Sequence, residues 1–114
     1  MTTADQEQFA EPFKRINAQE AKELIERGEV SVIDVREDWE YAKGHIPEAK
    51  HIPLARIISA AQQHVEGDNL LFVCEVGQRS AVAAEFAAAL GKQHLYNLEG
   101  GTTAWREMGY PVET

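Results

Sequence analysis

The chain has 114 residues and a mass of 12.7 kDa, which suits one domain with an ordinary hydrophobic core. Hydrophobic residues make up 44% and charged residues 26%, which is typical of globular proteins and not of disordered ones. The net charge of −8 repels phosphate backbones, so we expect no nucleic-acid partner. No apolar run approaches the roughly 18 residues of a membrane span, and no cationic segment followed by an apolar one marks a secretory signal. A membrane partner is therefore not expected.

Cysteine and histidine usage limits the redox and metal chemistry. Cys74 is the only cysteine, so the chain forms neither an internal disulfide nor a Cys-x-x-Cys redox pair, which predicts a cytoplasmic protein. The histidines match no zinc-binding pattern; they are His45, His51, His64 and His94. We expect no metal and no cofactor, and we expect a monomer.

The first half of the chain predicts a helix, a strand and two short elements. Asn17 is suited to cap a helix, with Glu20 completing a capping box, and Gly28 is suited to end that helix. Residues 31–35 are rich in β-branched side chains and predict a strand. A brief helix is expected over residues 38–43 and a short strand over residues 51–52.

The second half continues the alternation of helices and strands. Apolar residues at helical spacing predict an amphipathic helix; they are Leu54, Ile57, Ile58, Ala61 and Val65. The apolar run 70–73 predicts a strand buried on both faces. An alanine-rich helix is expected over residues 80–90, and the side chains predicted on its inner face are Val82, Phe86, Ala89 and Leu90. A strand over 94–98 and a last helix carrying Trp105 and Met108 follow.

This alternation predicts an α/β fold with a central, mainly parallel sheet and helices on both faces. We find no internal repeat and no linker. We expect residues 1–12 to form a loose N-terminal segment and residues 13–112 to form the domain.

Ligands of open parallel sheets bind where strands end and helices begin, which directs attention to Cys74. Gly77 permits a tight loop whose N–H groups point inward, and the following helix directs its positive dipole end at that loop. Together with Arg79, these features favour the thiolate of an anion-handling nucleophile. The competing interpretation is that Cys74 is a small buried core residue, which is common for a free cysteine.

Other polar and aromatic residues admit structural interpretations. Asp34 and Arg36 lie at the end of the first predicted strand, and an ion pair that braces a loop is at least as plausible for them as substrate contact. His45 lies in a turn and fits a hydrogen-bonded structural role better than a catalytic one. The aromatic residues interpreted as core or as cover for the helices are Trp39, Trp105 and Tyr110.

Three groups of residues, in order along the chain, resemble the signatures of rhodanese domains. The first group comprises VIDVRE at 32–37, GHIPEA at 44–49 and IPL at 52–54. The second is the loop CEVGQRS at 74–80, which looks like the Cys-x-x-Gly-x-Arg-Ser active-site loop. The third comprises NLEGG at 97–101, AW at 104–105 and GYPV at 109–112. Together these matches imply a single rhodanese-like domain over residues 13–112.

The resemblance implies a sulfurtransferase. Cys74 would take the outer sulfur of thiosulfate or a similar small donor as a persulfide, and would pass it to cyanide, a thiol or an acceptor protein's cysteine. The loop positions implied to hold the persulfide are Glu75, Val76, Gly77, Gln78, Arg79 and Ser80. Arg79 would add cationic stabilisation, whereas Asp34 and Arg36 carry over as scaffold. Glu75 departs from the expected pattern, because a carboxylate beside the nucleophile repels an anionic donor.

Two other classes of protein remain as alternatives. A cysteine-dependent phosphatase or arsenate reductase of related fold places its arginine in a Cys-x5-Arg loop, whereas Cys74 and Arg79 form Cys-x4-Arg. The shorter loop should close too tightly around a tetrahedral phosphate. A non-catalytic rhodanese-like interaction module is the second alternative, and an intact Cys74 argues against it.

Overall fold

The computed structural model describes residues 10–114, and these contain a five-stranded parallel sheet. The strands are β1 (Lys14–Ile16), β2 (Ser31–Asp34), β3 (Lys50–His51), β4 (Leu70–Val73) and β5 (Leu95–Leu98), in the spatial order β1-β5-β4-β2-β3. The sequence did not predict β1. Only Ile16 of its three residues is buried, and the other two are exposed and charged. This short edge strand therefore lacks the run of apolar residues from which a strand is predicted.

Residues 10–114 also contain five helices, of which four lie between successive strands and one follows β5. They are α1 (Ala18–Glu26), α2 (Asp38–Ala42), α3 (Leu54–His64), α4 (Gln78–Ala89) and α5 (Gly101–Glu107). The predicted capping box at α1 is present: Asn17 Oδ1 accepts from the Glu20 N–H at 2.8 Å, and the Glu20 carboxylate accepts from the Asn17 N–H at 3.2 Å. No helix among residues 10–114 has the length and apolarity needed to cross a membrane. We predicted a loose segment over residues 1–12, and its first nine residues lie outside the described residues.

The sheet has a hydrophobic core on each face, as the alternation of elements predicted. Successive residues of β4 point to opposite faces, and all four are buried. Leu70 and Phe72 belong to the core that includes buried residues of α3 and α4. Leu71 and Val73 belong to the opposite core, which includes buried residues of α1 and α5. The domain is therefore a three-layer α/β structure.

The prediction of which face of α4 is buried is wrong. Val82 and Leu90 are 38% and 39% exposed, and Ala89 is also exposed, although Phe86 is partly buried. The buried residues of this helix are Ser80, Ala83, Ala84 and Ala87. Small side chains let the helix lie close to the sheet, so bulk is a poor guide to the buried face of an alanine-rich helix.

Two aromatic interpretations have different outcomes. Trp105 is 2% exposed, donates its indole N–H to the Pro111 carbonyl at 2.8 Å, and meets the Tyr110 ring edge to face, so both side chains contribute to the core of the α5 face. Trp39, by contrast, is 63% exposed and neither core nor cover. Met108 lies just beyond α5 and is 50% exposed.

The parallel register brings the ends of three strands to one edge of the sheet. Asp34 of β2 is paired with Val73 of β4, and Phe72 of β4 is paired with Asn97 of β5. The residues that follow these positions therefore emerge side by side. Cys74 lies at the centre of this edge, because β4 is the middle strand of the sheet.

The buried face of α4 can be tested with a matched pair of substitutions. Ala84→Leu adds volume to a fully buried site and should lower the free energy of unfolding by about 1–3 kcal/mol or more. Val82→Ser changes an exposed site and should alter it by less than about 0.5 kcal/mol. Urea unfolding followed by circular dichroism measures both, and equal losses would contradict this orientation of α4.

Candidate active site

Cys74 directly follows β4, and its thiol is enclosed by the loop that leads into α4. The residue is 1% exposed. Its Sγ accepts a hydrogen bond from the backbone N–H of Gly77 at 3.1 Å and lies 3.3 Å from the hydroxyl oxygen of Ser80. The thiol is thus part of the core, as the competing interpretation held, and also lies in a polar loop at the edge where ligands of parallel sheets bind.

Gly77 makes the tight turn between β4 and α4. Its φ of 101° lies in the left-handed region, where residues with a Cβ are strained. A Cβ at this position would also lie 3.2 Å from the Leu98 carbonyl oxygen. Both constraints favour glycine, and the resulting turn brings the Gly77 N–H to the sulfur. The helix α4 begins at Gln78, directly after this turn, so its N-terminus faces the loop as expected.

Arg79 does not act as a free cation in the loop. Its guanidinium forms two hydrogen bonds with the Glu40 carboxylate of α2, at 2.7 and 2.8 Å. Glu40 raises the pKa of Arg79, so the guanidinium stays charged but has a partner. This salt bridge ties α4 to α2, and the charge of Arg79 also interacts with Cys74, so its cationic stabilisation of a bound sulfur stays a prediction.

Asp34 and Arg36 form the buried ion pair that the structural interpretation anticipated. Each side chain is 1% exposed, and two guanidinium nitrogens of Arg36 donate to Asp34 at 3.0 and 2.8 Å. Arg36 also donates to the Gly44 carbonyl at 2.8 Å. Burial lowers the pKa of Arg36, but the hydrogen bonds and charge of Asp34 outweigh burial and raise it overall. The pair therefore fixes the segment after β2 beneath the site.

His45 has the structural surroundings expected of it. Its Nδ1 lies 2.9 Å from the Tyr41 carbonyl, and its ring stacks on the Tyr41 ring with centroids 3.7 Å apart. Its backbone also pairs with Glu113 in a short antiparallel bridge. None of its described hydrogen bonds involves the Cys74 loop.

Glu75 is not the isolated negative charge that the sequence suggested. The Thr102 and Thr103 hydroxyls donate to its carboxylate at 3.1 and 2.8 Å, and guanidinium nitrogens of Arg36 and Arg106 lie 3.4 and 3.3 Å away. Burial raises the pKa of Glu75, but these hydrogen bonds and positive charges outweigh burial and lower it. These cations oppose the repulsion of anions by Glu75, and its effect on an anionic donor stays a prediction.

The turn after β5 supports the loop directly, which the sequence interpretation missed. The Thr102 N–H donates to the Cys74 carbonyl at 2.9 Å, and the Thr103 N–H donates to the Glu75 carbonyl at 3.1 Å. A Cβ at Gly101 would lie 2.4 Å from the carbonyl oxygens of Cys74 and Glu75. The available signal was the NLEGG motif, because β5 neighbours β4 and parallel strands end at the same edge.

A buried polar side chain from β5 also reaches the loop. Asn97 accepts a hydrogen bond from the Ser80 hydroxyl, and its amide nitrogen donates to the Gly77 carbonyl at 3.1 Å and to Glu99 at 2.7 Å. The sequence singled out Ser80 but neither Asn97 nor Glu99 as a site residue. Ser80 and Gly77 lie 17 and 20 positions from Asn97, so the local sequence around Asn97 and Glu99 does not indicate their connection to the loop.

A cavity of about 430 Å³ lies beside the loop, with Glu75 in its wall. Its lining residues are Arg36, Trp39, Glu40, Lys43, Glu75 and Arg106. The Lys43 ammonium lies 5.0 Å from the centroid of the exposed Trp39 ring. Within residues 10–114, no cluster of three or more histidine, cysteine or carboxylate side chains is placed to hold a metal ion.

With this geometry established, comparison with known proteins identifies the family. The family model described as "Rhodanese-like domain" matches residues 17–108, so the chain belongs to the rhodanese-like family. The family resemblance and the single α/β domain predicted from the sequence are confirmed.

Individual relatives extend this comparison. The chain is 32% identical over 106 residues to "Thiosulfate sulfurtransferase GlpE" of Pseudomonas paraeruginosa, covering 93% of this chain and 94% of that protein. A crystal structure of a rhodanese-related protein from Thermoplasma volcanium matches with a TM-score of 0.77 and 36% identity, over 88% of this chain and 97% of the other. A Rhodopseudomonas palustris protein described as a possible tyrosine phosphatase matches with a TM-score of 0.77 and 26% identity, over 89% and 85%. The family model and the sulfurtransferase relative support a sulfurtransferase family without specifying the reaction, and the third protein carries a different description.

The Glu40–Arg79 salt bridge should stabilise the fold in a pH-dependent way. The hydrogen bond from Arg79, opposed by burial, lowers the pKa of Glu40 from 4.5 to about 2. A carboxyl group whose pKa is lower in the folded protein than in the unfolded chain stabilises the fold at pH values above its unfolded pKa. For Glu40 this stabilisation is lost as the pH falls from about 4.5 towards 2. The difference in unfolding free energy between wild type and Glu40→Gln should therefore be constant above about pH 5.5 and should shrink below pH 4.5.

Chemical denaturation at a series of pH values measures this difference. In an Arg79→Met background most of the pH dependence should disappear, because the main partner of Glu40 is absent. A Glu40→Gln effect that is independent of pH would contradict the assigned role of the pair.

A second substitution tests whether Glu75 anchors the loop to α5. Glu75→Gln removes the charge that Arg36 and Arg106 share, and should lower the free energy of unfolding by about 1 kcal/mol. Glu107→Gln, at an exposed position of the same helix, should change it by less than about 0.5 kcal/mol. Urea unfolding of both variants is the measurement, and indistinguishable stabilities would remove Glu75 from this role.

Proposed function

We propose that this protein is a sulfurtransferase that moves sulfane sulfur from thiosulfate or a similar small donor to a thiophilic acceptor through a persulfide on Cys74. The observation that carries the proposal is the Cys74 thiol at the end of β4, 3.1 Å from the Gly77 N–H and enclosed by a loop at a helix N-terminus. Such a loop offers backbone donors to an anionic sulfur. The family relationship and the sulfurtransferase relatives support the same chemistry.

In the first step the Cys74 thiolate attacks the outer sulfur of thiosulfate. A new S–S bond forms to Cys74, the S–S bond within thiosulfate breaks, and sulfite leaves with the electron pair of that bond. The thiol proton goes to solvent before the attack. The Gly77 N–H, already directed at Sγ, would donate to the attacking thiolate, whose charge passes to the departing sulfite as the new bond forms.

In the second step a nucleophilic acceptor attacks the outer sulfur of the persulfide. The acceptor gains the sulfur, and the bonding electron pair returns to Cys74 as thiolate. Cyanide serves as the acceptor in an assay, and a low-molecular-weight thiol or an acceptor protein's cysteine serves in a cell. The cycle requires no net oxidation or reduction by an additional reagent. Action as a monomer and a cytoplasmic location remain predictions.

Arg79 favours sulfur transfer over the phosphatase alternative. A phosphatase of the Cys-x5-Arg type needs its arginine directed at the phosphate, whereas both hydrogen-bonding arms of Arg79 are directed at Glu40. The loop is also one residue shorter than that pattern. Both features argue against a cradle for a phosphate dianion.

The proposal predicts a sulfur adduct on Cys74. Incubation with thiosulfate should add about 32 Da to the intact protein, as measured by mass spectrometry, and cyanide should remove it with formation of thiocyanate. Cys74→Ser should abolish both the adduct and the turnover while keeping the circular dichroism spectrum of the wild type.

Two controls make the outcome decisive. Ser59→Ala, at an exposed position of α3, should retain the adduct and the turnover. Hydrolysis of an aryl phosphate should be undetectable under conditions in which thiosulfate turnover is readily measured. Undiminished turnover by Cys74→Ser, or efficient phosphatase activity of the wild type, would overturn the proposal.

A further inference from the structure

A chain of hydrogen bonds, buried except at its Glu99 end, connects the thiol to the far side of β5. It passes from Cys74 Sγ to the Ser80 hydroxyl, from there to the Asn97 side chain, and then to the carboxylate of Glu99. Ser80 and Asn97 are fully buried and Cys74 is 1% exposed, so solvent does not compete for these groups. In such surroundings the direction of each hydrogen bond matters, because an unpaired polar atom is costly.

The orientation of the Asn97 amide follows from its two outer partners. The Gly77 carbonyl and the Glu99 carboxylate only accept hydrogen bonds, and they lie 3.1 and 2.7 Å from the amide nitrogen. That nitrogen is the only donor on the side chain and must face them. The amide oxygen therefore faces Ser80, and it only accepts.

The direction of the Ser80 hydroxyl follows in turn. Its single proton is donated to the Asn97 oxygen, so the hydroxyl presents a lone pair to Sγ at 3.3 Å. A thiol can donate its proton to that lone pair, whereas a thiolate would face it with no proton between them. If the hydroxyl rotated to donate to a thiolate, the buried Asn97 oxygen would lose its donor.

We propose that Asn97, held by Gly77 and Glu99, takes the proton of the Ser80 hydroxyl and thereby makes Ser80 oppose the ionisation of Cys74. Ser80 and Asn97 are then positioning residues, because they fix the Ser80 hydroxyl with a lone pair, and not a proton, directed at Sγ. The proposal concerns the protonation of the thiol itself. It bears on catalysis only through the proposed function, in which the thiolate is the attacking group.

The other groups around the thiol have partners that this network leaves unchanged. From α4, Arg79 is paired with Glu40 of α2. In the loop, Glu75 is paired with Arg36 from the segment after β2 and with Arg106 of α5. At the far end, Glu99 is paired with Arg15 of β1 at 2.8 Å. The Gly77 N–H and the α4 N-terminus favour the thiolate, so Ser80 opposes a field that otherwise promotes ionisation.

The direction in which one substitution shifts the pH midpoint of Cys74 ionisation tests the proposal. Ser80→Ala removes the acceptor for the thiol proton, so the midpoint of Cys74 ionisation should move to lower pH, by about half a pH unit. If Ser80 instead donated to the thiolate, the same substitution would move the midpoint to higher pH. The readouts are the ultraviolet absorbance of the thiolate and the rate of alkylation by neutral iodoacetamide across a pH series. Ser59→Ala is the matched control, with the wild-type profile expected.

A second variant tests whether Asn97 determines the direction in which the Ser80 hydroxyl donates its proton. Asn97→Leu is similar in size and cannot accept the Ser80 proton, so the hydroxyl becomes free to donate to a thiolate. The midpoint should move to lower pH by about one unit, which corresponds to a roughly tenfold faster alkylation below the midpoint. In a Ser80→Ala background, Asn97→Leu should have no further effect, since its action requires the hydroxyl.

The outcomes separate this proposal from the proposed function. No measurement here uses a sulfur donor, so absent sulfur transfer would leave the ionisation results intact. A Ser80→Ala midpoint that is unchanged or higher would overturn the proposal, and this variant decides the matter if Asn97→Leu does not fold. An Asn97→Leu shift that persists without Ser80 would overturn it as well, because it would indicate a general loosening of the loop.

Discussion

The contact between the turn after β5 and the loop after β4 determines the geometry of the whole site. Gly101 lies so close to the Cys74 and Glu75 carbonyls that a Cβ would come within 2.4 Å of them. The N–H groups of Thr102 and Thr103 satisfy those same carbonyls. The two strand ends are thus joined by backbone atoms, which have far less freedom to adjust than side chains. This junction brings Asn97 and Ser80 together beside the thiol.

Charged groups at this edge act mainly as structural partners. Asp34 and Arg36 are buried as a pair, and removing one member would leave an uncompensated charge in the interior. Glu75 faces two guanidinium groups, and Arg79 is engaged by Glu40. The salt bridges hold segments together and give each of these charges a partner. The hydrogen bonds made at the sulfur itself are those of the Gly77 N–H and the Ser80 hydroxyl, and their direction decides whether they favour the thiol or the thiolate.

A nucleophile that carries a reactive sulfur needs protection from water as well as access for its partners. Cys74 is almost fully buried, yet its loop borders a cavity with both cationic and acidic walls. Trp39 and Val76 are 63% and 54% exposed, and both belong to segments that border the site. The enclosure and the neighbouring cavity together suit the proposed cycle, in which small reactants approach and the intermediate remains shielded.

The sequence by itself determined the order of the major elements, the glycine turn after β4 and the position of Cys74 at a strand end. Those features depend on local periodicity and on the special backbone freedom of Gly77, which neighbouring residues reveal. The pairing of Asp34 with Arg36 was also accessible, because the two lie two positions apart. Only the tertiary structure decided that β1 forms an edge strand, that alanines line the inner face of α4, and that Glu40 takes Arg79 from 39 positions away. It also decided which way the Asn97 amide faces. These properties depend on which surfaces the packed elements bring into contact, and no local stretch of sequence contains that information.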